Sequence, residues 1–274
     1  MEDIRDIIFK EIADKEFRAL LIPERDGCLS GAEEAQRLTG EIGAKLRLFL
    51  HEGDSIKTGE PIGEVLAAPK IMAMAEERVI GTLSKFSGIA TASQKAVRLA
   101  QGKIRIVSGS WKKMPPAIKN GVRQAITAGG ASFRISSTPM VYLDKNYIRM
   151  LGSIPAALES VRGCGDLTKV IQIKGKENSI EEETKQAVEN GCSILMVDTG
   201  NLEDVVRCTK KVGEMGMSGK LQIAFAGGVR LEDIPKFFDY GIEMLCIGKE
   251  IVDAPLLDIK MDVQLQKIET ERGS

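Results

Sequence analysis

The stretch KIRIVSGSWKKMPPAIKNGVRQAITAGGASFRISSTPMVYLDKN, residues 103–146, decides the fold. It begins with the apolar run IRIV (104–107) and breaks at Ser-Gly-Ser. A helical segment follows, ends at Gly129-Gly130, and leads into strand-like sequence that carries Arg134. A strand, a helix and a second strand in succession are typical of an α/β protein.

Cationic and aromatic side chains alternate around these two predicted strands. Lys112 lies just past the first strand, beside Trp111, and Phe133 precedes Arg134 in the second. Ligands of α/β proteins bind at the carboxyl ends of the strands. The stretch therefore predicts an anion-binding site.

Short apolar runs recur downstream, separated in the later part by helical patterns. Helix caps are predicted where Ser179 is followed by Glu182, which is a capping-box spacing, and at Asn201. Alternating strands and helices indicate a parallel sheet, and six or seven strands favour a barrel short of eight units. A doubly wound open sheet is the alternative, but the chain has no GxGxxG motif. The predicted strands are 104–107, 132–135, 140–143, 169–173, 193–197, 221–226 and 243–248.

The first hundred residues have a different pattern, which indicates a small α+β domain. An amphipathic helix is predicted over 3–19, overlapping strand-like sequence at Phe17–Pro23. A helix over 31–43, a strand near 46–51 and paired short strands follow. A long helix over 71–101 then carries Gly88 on its apolar face, where glycine indicates a close backbone approach or a break.

Composition and charge exclude several classes of protein. The formal net charge of −1 argues against broad binding to nucleic acid or membrane, so any anion site must be local. No apolar run reaches the length of about 18–20 residues needed for a membrane span, and the charged start is unlike a signal peptide, so we expect a cytoplasmic protein. A single histidine, His51, excludes a His-rich zinc site, and the scattered cysteines are expected to be structural.

Five segments together resemble one family over nearly the whole chain, in order. EERVIGTLSKFSGIAT (76–91) is the most specific of them, and MVDTGNLEDV (196–205), AFAGGVRLEDI (224–234) and LCIGKEI (245–251) lie at predicted strand ends. The spacing from Pro115 through the glycine pair to Arg134 agrees as well. The sequence resembles quinolinate phosphoribosyltransferase, a type II phosphoribosyltransferase, as a divergent member.

The resemblance implies a fold, a reaction and an assembly. It implies an N-terminal α/β sandwich domain with its connecting helix (1–102), an incomplete α/β barrel (103–253) and a tail that packs back on the first domain (254–274). It implies that phosphoribosyl pyrophosphate (PRPP) and a pyridine dicarboxylate react with magnesium to give a nicotinate nucleotide, and that a homodimer shares its active sites.

The resemblance also assigns roles to individual residues. Lys112 would hold phosphate, Asp198 would face ribose or magnesium, and Gln172 would take the third catalytic position. Arg78 would reach the partner's site, although a surface ion pair with a neighbouring glutamate is the alternative. The remaining assignments are Arg134, Trp111, Phe133 and Lys145 for the substrate ring, and Gly227, Gly228 and Gly248 for phosphate.

Several positions depart from the family pattern. Trp111 and Phe133 stand where the family has arginine and histidine, Gln172 stands for a glutamate, and the family's KDNH is Asp144-Lys145-Asn146-Tyr147. A buried dicarboxylate without its cations would cost several kcal/mol, on the order known for unpaired buried charges. The two aromatic side chains could stack a flat ring or pack in the core.

Three hypotheses follow. The first is a phosphoribosyltransferase for a heterocyclic acid with fewer carboxylates than quinolinate. The second is ordinary quinolinate activity with rearranged cations, Lys113 and Lys145 replacing the missing ones. The third is a non-catalytic member of the family that binds nucleotide or PRPP.

Overall fold

The computed structural model describes residues 3–265 and divides the chain into two compact units. Within the described residues, the first unit contains the chain up to Gln94, Pro116–Gly130 and the chain after Asp253, and the second contains Lys95–Pro115 and Ala131–Asp253. Residues 116–130, which the sequence analysis assigned to the barrel, thus lie in the first unit. The predicted extents 1–102, 103–253 and 254–274 stay a prediction, and residues 266–274 of the predicted tail lie outside the described residues.

The first unit contains a four-stranded antiparallel sheet and a two-stranded ribbon. Its strands are β1 (Phe17–Pro23), β2 (Gly27–Cys28), β3 (Lys45–Leu48), β4 (Ser55–Ile56), β5 (Gly63–Ala67) and β12 (Ile259–Val263). Its helices are α1 (Ile4–Ile8), α2 (Ala32–Glu41), most of α3 (Pro69–Ala100) and α4 (Lys119–Ala128). The order in the large sheet is β12-β1-β5-β3, so a strand from the end of the described chain pairs with the first strand.

The helix predicted over 3–19 was wrong in extent. Helix α1 covers only Ile4–Ile8, a 3-10 turn covers Lys10–Ile12, and the chain enters β1 at Phe17. The side chains of Ile4, Ile7 and Ile8 are 58–64% exposed, so they do not pack against a core although their spacing is helical. His51 is also exposed, as expected for a solvated loop residue.

The long helix is continuous through Gly88, and the close approach predicted there is confirmed. A Cβ at Gly88 would lie 2.2 Å from the carbonyl oxygen of Pro255 and 3.3 Å from Leu256 Cα. The Leu257 backbone N–H donates to the Ser84 carbonyl at 2.9 Å and holds this segment against the helix. Glycine is required at this position because the atoms that a Cβ would meet belong to the backbone and cannot rotate away.

Gly88→Ala is therefore expected to lower the free energy of unfolding by about 2–3 kcal/mol, the cost of overpacking a tight site. The matched control is Gly81→Ala on the same helix, where a Cβ has no neighbour within 4 Å. That change should raise the free energy of unfolding by about 0.5–1 kcal/mol, since alanine is the better helix former. Urea unfolding of both variants checks the pair, and equal effects of the two substitutions would contradict it.

The second unit is built on a six-stranded parallel sheet with the order β6-β11-β10-β9-β8-β7. The strands are β6 (Arg105–Val107), β7 (Met140–Leu143), β8 (Thr168–Ile173), β9 (Ile194–Asp198), β10 (Gln222–Ala226) and β11 (Met244–Cys246). The helices are α5 (Lys145–Leu151), α6 (Ile154–Glu159), α7 (Ile180–Glu189), α8 (Leu202–Glu214) and α9 (Lys249–Val252). The first and last strands in sequence are neighbours, as in a parallel barrel.

The barrel is incomplete, and this confirms the predicted fold class. The predicted strand at 132–135 was wrong, since this segment makes one parallel bridge, from Ser132 to Val107. One of the helical patterns between the later strands, LEDIPKFFDYG (231–241), forms a 3-10 segment over Leu231–Phe237 that contains Pro235. Proline lacks the N–H that an α-helix needs, which explains the difference.

Both predicted helix caps are confirmed. The Ser179 hydroxyl accepts from the Glu182 backbone N–H at 3.2 Å, and Asn201 Oδ1 accepts from the Glu203 N–H at 3.1 Å. Each cap satisfies an N–H that has no partner within its helix. The caps fix the residues at which α7 begins after β8 and α8 begins after β9.

An apolar cluster fills the barrel interior, with Met140, Tyr142, Ala226 and Cys246 packed around it. Its buried members are Val107, Ile135, Val170, Ile194, Met196, Ala224 and Met244. Polar side chains lie at or directly after the carboxyl ends of β6 to β9, at Ser108, Asp144, Lys174 and Asp198. Within residues 3–265, no helix is both long enough and apolar enough to cross a membrane.

Candidate active site

Asp198 is the last residue of β9 and the centre of a polar network. Its Oδ2 accepts a hydrogen bond from Gln172 Nε2 at 2.5 Å and lies 3.0 Å from Lys174 Nζ. The Lys174 ammonium also donates to the Asp198 backbone carbonyl. The side chains of Lys174 and Asp198 are 25% and 29% exposed, so the ion pair is partly shielded from water but open to a ligand.

Gln172 links three strand ends through its side-chain amide. Its Nε2 donates to Asp198, and its Oε1 accepts from the Lys145 backbone N–H at 2.8 Å, just after β7. A glutamate at this position would place a second carboxylate against Asp198, whereas the amide supplies a donor. Gln172 therefore donates to Asp198 where a glutamate would place two carboxylates side by side.

Neutral groups surround Asp198 on the barrel-interior side. Desolvation raises the pKa of Tyr142 well above its ordinary value, and the nearby Cys246, Asp198 and Asp144 add to the shift. Desolvation and the Asp198 carboxylate raise the pKa of the Cys246 thiol to about 12. Both groups stay protonated at neutral pH, so Cys246 is not a nucleophile.

The predicted aromatic and cationic residues lie together on the segments after β6 and around Ser132. The Trp111 and Phe133 rings contact edge to face, with centroids 6.2 Å apart and planes at 77°, and Trp111 Nε1 donates to the Phe133 carbonyl at 2.9 Å. The Arg134 guanidinium lies 5.5 Å from the Phe133 ring centroid, and Lys112 Nζ lies 5.1 Å from that of Tyr142. Arg134 and Lys112 are exposed, while the two rings are half-buried.

Glycine turns follow β10 and β11. Gly227 and Gly228 have φ values of 117° and 71°, which favour glycine, and Gly200 after β9 has 73°. The Gly200 N–H donates to the Ala226 carbonyl at 3.1 Å, so the turns after β9 and β10 are joined. A Cβ at Gly248 would lie 2.2 Å from Ser110 Oγ, so a side chain there would displace that hydroxyl.

Arg78 lies in the first unit, on α3. Its NH1 is 4.0 Å from Glu41 Oε2, with 41% of the side chain exposed. The alternative of an ion pair with Glu76 or Glu77 is not realised, since Glu77 pairs with Arg5 at 2.6 Å. The assignment of Arg78 to a partner's site stays a prediction.

Asp198 was the residue assigned to magnesium, and its surroundings test that assignment. Within residues 3–265, no group of three or more His, Cys, Asp or Glu side chains could hold a metal ion. Magnesium at phosphate-transfer sites often takes one or two carboxylates and completes its shell with substrate phosphates and water. Asp198 therefore fits as a single carboxylate ligand toward a substrate-borne ion, and not as part of a protein-built metal cage.

Comparison with known proteins decides the family. The model of the quinolinate phosphoribosyl transferase N-terminal domain matches residues 6–87, and that of its C-terminal domain matches residues 89–262. The chain belongs to the quinolinate phosphoribosyl transferase family. The predicted resemblance is confirmed, and the family is one of pentosyltransferase enzymes.

Individual members of the quinolinate phosphoribosyl transferase family are only distantly similar. A probable nicotinate-nucleotide pyrophosphorylase [carboxylating] of Methanothermobacter thermautotrophicus is 22% identical over 94% of this chain and 93% of its own. That of Bacillus subtilis is 26% identical, over 92% and 86%. The solved structure of the nicotinate-nucleotide pyrophosphorylase from Francisella tularensis has a TM-score of 0.80 at 19% identity, covering 94% of this chain and 90% of that one, which shows a shared fold.

The sequence analysis of this family member missed Lys174. The residue follows β8 directly, so it lies at a strand's carboxyl end like Asp198, and that position was the available signal. Its pairing with Asp198 could not be read from the sequence because the two residues meet only through the alignment of β8 with β9.

Proposed function

We propose that this protein is a phosphoribosyltransferase that joins PRPP to a flat nitrogen heterocyclic acid and releases pyrophosphate. The observation that carries the proposal is Asp198, a partly shielded carboxylate held by Gln172 and Lys174 at the carboxyl end of the central strands of the barrel sheet. The family match over both domains supports it. The non-catalytic alternative is not favoured, because the curated relatives are named as enzymes.

In the proposed reaction, the bond from ribose C1 to the diphosphate oxygen breaks and its electron pair leaves with pyrophosphate. A ring nitrogen then forms the new bond to C1. Positive charge develops on the ribose between these events, and the preorganised Asp198 carboxylate stabilises it. Lys174 and Gln172 orient Asp198, because both bind the same carboxylate oxygen.

The remaining site residues would hold the ends of the substrates. Lys112 and the backbone N–H groups of the turns at Gly227, Gly228 and Gly248 are proposed to bind the 5′-phosphate. Magnesium is proposed to arrive with PRPP and to neutralise diphosphate charge beside Asp198. We further propose a homodimer in which Arg78 completes the partner's site.

The ring is proposed to carry fewer carboxylates than quinolinate. Arg134 offers a planar fork for one carboxylate, and Lys145 lies at the end of β7. Trp111 and Phe133 present apolar surface where the family pattern has cations. A second carboxylate would therefore lose water without gaining a partner, which disfavours a dicarboxylate.

The test is pyrophosphate release by the full-length protein with PRPP, magnesium and either nicotinate or quinolinate. We expect PRPP to raise the thermal unfolding midpoint by linkage, and release to be faster with nicotinate. The double variant Trp111→Arg/Phe133→His should shift the preference toward quinolinate. Absence of PRPP binding would overturn the proposed activity, and faster release with quinolinate by the wild type would overturn the proposed ring.

A further inference from the structure

Tyr142 is a polar side chain of the barrel interior to which the proposed reaction gives no role. It is the third residue of β7, and its ring packs against the apolar cluster inside the barrel. Asp198 points inward as well, because it lies two residues beyond Met196 of the same cluster and side chains two apart on a strand share a face. The Tyr142 ring and the Asp198 carboxylate therefore border the same interior surface.

The Tyr142 hydroxyl has no hydrogen-bond partner within residues 3–265. The fully buried side-chain atoms without a partner in that range are Arg25 Nε and the hydroxyls of Ser84, Ser93 and Ser108, and Tyr142 Oη is not one of them. The hydroxyl is therefore open to solvent, although the residue is half-buried. Buried tyrosines usually pair this group, so an unpaired phenol at the strand ends is a donor that a ligand can use.

The charges around the hydroxyl indicate what kind of acceptor it can bind. Burial raises the pKa of Tyr142 well above its usual value, and Cys246, Asp198 and Asp144 raise it further. The phenol therefore keeps its proton at neutral pH and acts as a donor. A ligand carboxylate at this point would be repelled by the carboxylates of Asp198 and Asp144, whereas a neutral oxygen would not.

Lys112 links the Tyr142 ring to the aromatic residues of the site. Its Nζ lies 5.1 Å from the Tyr142 ring centroid, a distance typical of a cation–π contact. Lys112 directly follows Trp111, whose ring contacts Phe133 edge to face. A flat ring bound against Trp111 and Phe133 would therefore lie on the side of the barrel where Tyr142 presents its hydroxyl.

We propose that Tyr142 is a specificity-determining residue whose hydroxyl donates a hydrogen bond to a neutral oxygen on the heterocyclic acid. The inference rests on the proposed function and names its substrate class. The substrate is a flat nitrogen ring with one carboxylate, bound by Arg134, and one oxo, hydroxyl or carboxamide group, bound by Tyr142. The neutral group takes the place of the second carboxylate of quinolinate.

The test is titration calorimetry of nicotinate, 2-hydroxynicotinate and quinolinate into the full-length protein. These acids carry hydrogen, a neutral oxygen and a carboxylate at the same ring position. We expect the wild type to bind 2-hydroxynicotinate about fivefold more tightly than nicotinate, the factor that one neutral hydrogen bond supplies. Quinolinate should bind more weakly than 2-hydroxynicotinate.

Tyr142→Phe separates the hydroxyl from the packing of the ring. Phenylalanine keeps the aromatic face beneath Lys112 and removes only the donor. The variant should bind 2-hydroxynicotinate as weakly as the wild type binds nicotinate, with nicotinate binding unchanged. The matched control is Tyr240→Phe, a half-buried tyrosine of the same unit that precedes β11 at the amino end of that strand, and it should keep the fivefold preference. Circular dichroism confirms that both variants are folded.

Failure of this inference can be told apart from failure of the proposed function. Wild-type protein that binds neither acid or both equally, a preference that survives in Tyr142→Phe, or one that is lost in Tyr240→Phe would each overturn the role of Tyr142, even if PRPP turnover is found. Tighter binding of quinolinate than of 2-hydroxynicotinate would overturn the neutral acceptor. The expected pattern of binding would support the inference even if no pyrophosphate is released from PRPP.

Discussion

Asp198→Asn is expected to lower the rate of PRPP-dependent pyrophosphate release by about a hundredfold or more. Asparagine keeps the size of the side chain and an oxygen that can accept from Gln172 Nε2, but it removes the negative charge. Loss of one preorganised electrostatic group in an active site typically costs a factor of about 10² to 10³ in kcat. The loss should appear in kcat, since the carboxylate acts mainly on charge that develops in the transition state.

The measurement is steady-state pyrophosphate release at saturating PRPP, with PRPP binding followed separately by thermal shift. The control is Asp239→Asn, which removes a carboxylate from an exposed position of the same unit and should leave the rate unchanged. A loss smaller than about tenfold, in a variant that is folded and binds PRPP, would contradict the assignment of Asp198.

Gly227→Ala is expected to lower the free energy of unfolding by about 3 kcal/mol or more, through a backbone clash and an unfavourable φ together. A Cβ there would lie 2.4 Å from Gly200 N and 2.6 Å from Gly200 Cα, at a φ of 117°. No flexible side chain can move aside, so the turns after β9 and β10 would have to separate. The same displacement should weaken binding of inorganic phosphate, if the turn holds the 5′-phosphate.

Gly228→Ala is the matched control for this change. Gly228 also has a positive φ, 71°, but a Cβ there has no neighbour within 4 Å. We expect a cost of about 1–2 kcal/mol, that of a left-handed alanine alone. Urea unfolding of both variants measures the difference, and equal costs would show that the contact between Gly200 and Gly227 is not tight.

Local chemistry made much of the barrel predictable. Strands 140–143 and 169–173 were predicted from short, mostly apolar runs, which are typical of strands in a parallel sheet. The caps at Ser179 and Asn201 were found because a side chain that satisfies the first free N–H groups acts over only two or three residues. The close approach at Gly88 was predicted because glycine inside a helix is less stable than alanine, so its presence there indicates that a larger side chain would not fit.

The failures have an equally local origin. The apolar spacing of Ile4, Ile7 and Ile8 is helical, yet α1 ends at Ile8 and all three side chains are exposed. Apolar periodicity predicts a helix but does not show whether another element packs against its apolar face. Residues 132–135 have the composition of a strand, but they form one bridge, to Val107. A segment becomes a strand only where a neighbouring strand offers free backbone groups in register. Amino-acid composition does not show whether such a neighbour is present.

The sequence alone therefore determined the fold class, the family and the candidates at strand ends, Lys112, Asp198 and the glycine turns, because each depends on short segments read in order. Only the tertiary structure brought Lys174 and Gln172 onto the carboxylate of Asp198. The physical reason is that a parallel sheet aligns strand ends from residues far apart in the chain. The contacts of Lys174 and Gln172 with Asp198 arise from that alignment, and neither β8 nor β9 could form them alone.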